Sequence, residues 1–354
     1  MKSFIITLLC LLSISLQAQD KSQRIQEIRQ RYADAKSAVA HNGKGGNPAK
    51  DMQISINAQL SIEHDIWNEE ELFFYFDDHR LIDSDGSFQS CERPYFIIHK
   101  AFVHGHEIYA EYLIDPKSNM LMFSYSKSIT DSGMSIEHRA YFDRQGQCIQ
   151  TRHDNEIDDV TGTGEELKQT VGNYLRIFRA AIGEEIASVN IANGATSQLS
   201  KPAQMQHIRT QYAAAKDKIA KNTSTFYPYD VTITIHNQEE GDCPPTTDVI
   251  HLYGEKKNQD ALSDIHCYFA STNRVLMGFT NYNEYLYDPQ STLPIFAYTR
   301  SAEEGNQYEW RFYYDSQGQC IESKTDMEDG NDAVVAHQSA QAYRFLFRLI
   351  WSLT

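Results

Sequence analysis

Two histidines stand two residues apart in HKAFVHGHE, and on a β-strand His104 and His106 would point the same way. With His99 and Glu107 nearby, that is how a sheet could offer two imidazoles to zinc or copper. Gly105 between them favours a turn, so a solvated hairpin tip competes with the metal reading. Acidic residues recur in DNEIDD at 154–159 and DMEDGND at 326–332, which match Asp154 and Glu156 to Asp326 and Glu328. Oxygen ligands at alternate positions suit calcium. Neither stretch has the spacing of an EF-hand loop, and carboxylates ahead of a helix are also favoured by its positive N-terminal end. The chain demands no cofactor; calcium and zinc are the cations these groups could take.

Beyond Cys10, five cysteines remain: Cys91, Cys148, Cys243, Cys267 and Cys320. In an oxidising compartment they could pair, and the internal repeat described below suggests Cys91 with Cys148 and Cys267 with Cys320. The competing reading is that Cys148 and Cys320 are small buried apolar residues with free thiols. A catalytic cysteine needs a neighbouring base, and no recognisable Cys/His signature is present. Aromatic residues crowd ELFFYFDD, NYNEYLYD and QYEWRFYYD. An exposed row of them would stack on sugars or on a partner chain, and Trp67, Tyr282, Tyr285, Tyr287 and Trp310 are the candidates for such a face. No GxSxG, HExxH, phosphate-binding loop or dinucleotide glycine motif after a strand occurs.

Positioning these residues falls to a duplicated framework. YFDRQGQCIQ at 141–150 and YYDSQGQCIE at 313–322 agree in seven of ten letters. RIQEIRQRYADAKSAVA at 24–40 matches QMQHIRTQYAAAKDKIA at 204–220, EYLIDPKS at 111–118 matches EYLYDPQS at 284–291, and NYLRIFR at 173–179 echoes AYRFLFR at 342–348. Blocks repeated in one order mean duplication. In the decapeptide, Gly146 supplies the positive φ of a tight turn and Asp143 can accept hydrogen bonds from the turn backbone, so the phrase reads as a hairpin. This Y[FY]DxxGxC phrase, after an amphipathic helix and a signal segment, resembles uncharacterised secreted proteins of Bacteroidota-type bacteria. Those typically carry an aliphatic residue where Cys148 and Cys320 stand, and no functional residue comes with the resemblance.

Each copy opens on an apolar stripe at helical spacing: Ile25, Ile28, Tyr32, Ala35 and Val39, then Met205, Ile208, Tyr212, Ala215 and Ile219. Alternating runs of strand length follow, from MQISINAQL to QCIQTRH in the first copy. A closing helix carries Leu167, Val171, Tyr174, Leu175 and Phe178. The expected fold class is therefore α+β, in two tandem duplicated modules, each an antiparallel β-sheet with an opening and a closing helix. The expected domains are a signal peptide at 1–19, a first repeat at 22–185, a linker at 186–202 and a second repeat at 203–354.

MKSFIITLLCLLSISLQAQD has the cation, apolar run and small residue of a cleaved signal, so export to the periplasm or cell exterior is expected. No later stretch approaches the apolar length of a membrane-spanning helix. A formal charge of -16 repels phosphate backbones, which argues against nucleic acid. The expected function is a non-enzymatic binding or interaction protein for a glycan, peptide or protein. The alternatives are a hydrolase using acidic residues in a cleft between repeats and a cation-dependent adhesion module.

Overall fold

The computed structural model describes residues 2–42, 44, 51–61, 66–82, 88–103, 106–129, 133–154, 156–158, 163–182, 200–221, 229–238, 246–256, 265–276, 279–303, 306–325 and 332–351. In chain order the first elements are α1 (Lys2–His41), β1 (Asp51–Ser61), β2 (Ile66–Ile82), β3 (Phe88–Val103), β4 (His106–Asp115) and β5 (Met120–Ile129). Then come β6 (Ser135–Phe142), β7 (Cys148–His153), β8 (Glu156–Asp158) and α2 (Thr163–Ala181). After α3 (Lys201–Lys221) follow β9 (Val231–Gln238), β10 (Thr246–Lys256), β11 (Ile265–Leu276), β12 (Phe279–Tyr287), β13 (Pro294–Glu303), β14 (Asn306–Tyr314), β15 (Cys320–Thr325) and α4 (Asp332–Trp351).

The expectation of two tandem α+β modules, each with its own sheet, is overturned. Among the described residues, the strands belong to one 15-stranded sheet in the order β15-β14-β13-β12-β11-β10-β9-β1-β2-β3-β4-β5-β6-β7-β8. The strands β9–β15 follow β1–β7 in order, with β8 an addition in the first copy, but the repeat is silent on whether the first strand of each copy remains an edge. β1 and β9 are neighbours in the sheet, which satisfies backbone groups that two separate sheets would have left open. The chain divides into two compact units, one of Met1–Asp51, Leu72–Ala101 and Gly105–Gly172, the other of Met52–Glu71, Phe102–His104 and Asn173–Thr354.

In the first unit, Ile25, Ile28 and Ala35 of α1 are buried against Phe96, Leu113, Met122, Phe123 and Tyr141. In the second, Met205, Ile208 and Ala215 of α3 are buried with Phe269, Leu286, Phe296 and Tyr313. Burying each large aliphatic side chain here contributes roughly 1.5–3 kcal/mol. The opposite face of the second sheet segment holds α4. Tyr287 donates its hydroxyl to the Ala340 carbonyl at 2.6 Å, Tyr314 to that of Ala333 at 2.7 Å, and the Tyr285 ring lies 5.5 Å from Tyr343. Successive residues of a strand face opposite sides, so Leu286 meets α3 while Tyr285 and Tyr287 meet α4.

The repeated decapeptide is a hairpin in both places. Gly146 and Gly318 have φ of 76° and 77°. Asp143 accepts the N–H groups of Gln145 and Gln147 at 2.9 and 2.8 Å, and Asp315 those of Gln317 and Gln319 at 2.8 and 2.9 Å. Bulges repeat as well: register shifts fall at Leu113/Ile114 and Tyr141/Phe142, then at Leu286/Tyr287 and Tyr313/Tyr314. One short strand, β8, lies in the acidic stretch that the sequence suggested was a linker or calcium loop.

Candidate functional site

Duplication has preserved one polar cluster in each copy. The Glu111 carboxylate, 2 % exposed, accepts the hydroxyls of Tyr32 and Tyr109 and lies 2.5 Å from Lys36 Nζ. Glu284, 3 % exposed, accepts the hydroxyl of Tyr212, that of Tyr282 at 2.6 Å, and Lys216 Nζ at 2.5 Å. Burial first, and the adjoining carboxylate second, hold the phenols of Tyr32, Tyr109, Tyr212 and Tyr282 well above their ordinary range. A second layer continues outward along the same face. Tyr125 donates to Glu137 at 3.0 Å beside Arg139 at 2.5 Å, and Tyr298 donates to Glu309 at 2.9 Å beside Arg311 at 2.6 Å. Tyr32 and Lys36 belong to α1, Tyr212 and Lys216 to α3, so each buried carboxylate ties a helix to a central strand. With both oxygens engaged by donors, it is a strut; a general base needs a lone pair aimed at substrate.

The other face of the second sheet segment differs. Counting back by twos from Tyr285, which packs on α4, Asn283 and Asn281 lie on the same side. Strand register extends this into two cross-strand rows. Beside α4 run Thr272, Asn283, Thr299 and Trp310; farther out run Asp248, Arg274, Asn281, Ser301 and Tyr308. Asn283 donates to Thr272 at 3.0 Å, and Arg274 pairs with Asp248 at 3.3 Å. The rings of Tyr308 and Trp310 are 6.2 Å apart with planes at 43°. Among the described residues, Trp310 Nε1, Asn281 Oδ1 and Asp248 Oδ1 are closed off without a hydrogen-bond partner. Burial pushes the Asp248 carboxyl up, against the pull of Arg274. Phe279, 38 % exposed, ends the same face.

Repeat-equivalent positions in the first copy are Ile108, Ala110, Ser126, Ser128, Ile136 and His138, so no tryptophan or amide stands there. Comparisons with protein families, with characterised proteins and with solved structures find no match. Function therefore has to be read from this asymmetry.

Of the aromatic residues expected to form a binding face, the structure brings Trp310, half-buried, onto these rows. Tyr282 instead supports Glu284 on the α3 side. Tyr285 and Tyr287, 3 % and 1 % exposed, are core under α4, which corrects their expected ligand role. Trp67 lies in β2 and its side chain is outside the described residues. Of the expected metal ligands, His104, Asp326 and Glu328 lie outside the described residues, as do the side chains of His106 and Glu156. Asp154 is a turn residue with φ of 50° whose carboxylate accepts the Glu137 N–H at 3.0 Å. Among the described residues, no three His, Cys, Asp or Glu side chains are grouped to hold a metal ion.

Cys148, Cys267 and Cys320 carry free thiols, so the expected Cys267 pair with Cys320 is not formed. β11 and β15 are four strand spacings apart, about 19 Å, and a disulfide needs Cα atoms within about 7 Å. Cys91 in β3 and Cys148 in β7 are separated by the same number of spacings, and the same distance bars that pair. Each described thiol instead points at the carbonyl two residues on, at 3.8, 3.2 and 3.4 Å.

One further group of ionisable residues lies in the second copy. Glu255 lies 2.7 Å from Lys218 Nζ and 3.0 Å from His266 Nε2, and these neighbours, His266 foremost, hold its carboxyl down to about 2. Nearby Asp230 accepts the Gly254 N–H at 3.0 Å. Burial pushes its carboxyl up to about 7 despite that bond and Lys218.

The residues that sequence reasoning missed are Asn281, Ser301, Thr299, Tyr308 and the Asp248–Arg274 pair. Their signal was present in FTNYNEYLY, where Asn281 and Asn283 alternate with tyrosines. Period two assigns the amides one face, but only the structure shows that α4 packs on that same face.

Proposed function

We propose that the protein is an exported, non-enzymatic binding protein whose ligand rests on the Trp310 face of the second copy. In this reading residues 1–19 are a cleaved signal, and the copies at 22–185 and 203–354 share a framework on which one copy has acquired a ligand face. The observation that carries it is the contrast between faces. The Glu111 and Glu284 clusters are the same in both copies and spent on internal bonds. The rows holding Trp310, Tyr308 and Asn281 occur once, run on beyond α4 half-buried, and among the described residues retain polar atoms without partners. A structural requirement common to both copies would have kept both faces alike.

The test is incubation of the mature protein with panels of oligosaccharides and peptides, reading retention and scission of each member in parallel. A ligand recovered intact after retention supports the proposal. Catalytic scission that titrates with the protein overturns it in favour of a hydrolase.

A further inference from the structure

Resting on the binding reading above, we infer that the Trp310 face takes a neutral oligosaccharide. Its recognition groups along the row beside α4 are side chains. β11, β12 and β13 have a strand on both sides, and β14 pairs with β15 from Trp310 to Tyr314, so the backbone at Thr272, Asn283, Thr299 and Trp310 is committed to the sheet. An extended peptide binding by strand addition needs a free edge, which this row does not offer.

The chemistry of the rows matches hydroxyl groups. Asn281, Asn283, Thr272, Thr299 and Ser301 present amides and hydroxyls that both donate and accept, as sugar hydroxyls do. The two charges on these rows, Asp248 and Arg274, are paired with each other at 3.3 Å. Arg311 and Glu309 pair on the opposite side of the sheet. A sulfated or carboxylated ligand would thus meet a face without net charge on a protein of formal charge -16. Tyr308 and Trp310, two apart on β14, offer adjacent ring faces whose electron-rich surface suits the C–H bonds of a pyranose.

The partnerless atoms supply a reason for the face to change on binding. A closed-off donor or acceptor without a partner costs about 1–3 kcal/mol. Turning Trp310 and Asn281 outward onto ligand hydroxyls would satisfy Nε1 and Oδ1 together. Asn283, by contrast, already spends its amide on Thr272.

The experiment uses the full mature chain against immobilised neutral, sulfated and carboxylated oligosaccharides and a peptide panel, with wild type, Trp310→Ala, Trp310→Phe, Asn281→Ala and His138→Ala. His138 occupies the position equivalent to Trp310 in the first copy and serves as the control. The expected result is retention of neutral members, weakened about tenfold or more by Trp310→Ala. Asn281→Ala should weaken it several-fold and Trp310→Phe, which keeps a ring but loses Nε1, by a comparable factor, while His138→Ala keeps all of it. Trp310→Phe guards against misreading a folding defect, since it preserves the apolar ring. Neutral sugar bound equally by Trp310→Ala, or retention of anionic sugars or peptides alone, overturns the inference while leaving a binding protein. Failure to retain any saccharide also overturns it, and scission instead of retention removes the binding reading itself.

Discussion

Glu111 and Glu284 show how a buried charge is tolerated in this fold. Each is desolvated almost completely, yet each gains two phenol donors and an ammonium whose own side chain is 44 % or 43 % exposed. The lysine can return to water, so the stability at stake lies mainly in the bonds from the tyrosines. Glu111→Ala and Glu284→Ala should each cost about 2–3 kcal/mol in urea unfolding, with Lys36→Met and Lys216→Met costing less. Asp230 acts with the opposite sign. Its carboxyl keeps a proton in the folded state up to about pH 7, whereas in an unfolded chain it loses that proton near pH 4. Between those values the folded state binds more protons, so this residue's contribution to stability falls as pH rises from about 4 to 7. Asp230→Asn keeps the acceptor for Gly254 and removes the titration. The variant should gain on wild type across that window, by at most about 4 kcal/mol, in urea midpoints measured from pH 4.5 to 8.

At the scale of elements, the two hairpins built from the same phrase should respond differently to the same substitution. A Cβ on Gly146 would have open room, with Met120 Sδ at 3.8 Å, whereas one on Gly318 would meet His337 Nε2 at 2.6 Å. Both glycines have left-handed φ, so alanine costs about 1–2 kcal/mol at either. Gly318→Ala should cost more because the His337 ring, packed 5.0 Å from Tyr314, must also move; thermal unfolding of the two variants makes the comparison. The stripes on α1 and α3, the Asp-anchored hairpins and the alternation of the strands were legible in the sequence because each rests on spacing within one element. The Glu111 and Glu284 clusters were legible only in part. Their residues could be matched between copies, but Tyr32 and Glu111 are 79 positions apart and only packing brings them together. The union of the strands into one sheet was not legible at all, since strand edges have no residue signature that states their neighbour.

For the molecule as a whole, strand separation decides thiol chemistry. With the pairs suggested by the repeat held about 19 Å apart, reduction should leave folding and electrophoretic mobility unchanged. Alkylation of the native protein should label exposed Cys320 first and half-buried Cys148 more slowly, with Cys267, 2 % exposed, reached only after unfolding; peptide mapping by mass spectrometry reads the order. Among the described residues no helix is long and apolar enough to cross a membrane.

The strand order also sets how the chain can assemble in time. From β2 to β8 and from β10 to β15, each strand lies beside the one that precedes it in sequence. A hairpin needs only a short loop to close, and such local closures are fast compared with pairings between distant segments. A chain emerging N-terminus first can therefore lay down its sheet strand by strand as length becomes available. The slow event is the arrival of β9 beside β1, which must wait until the whole first copy and α3 have been made.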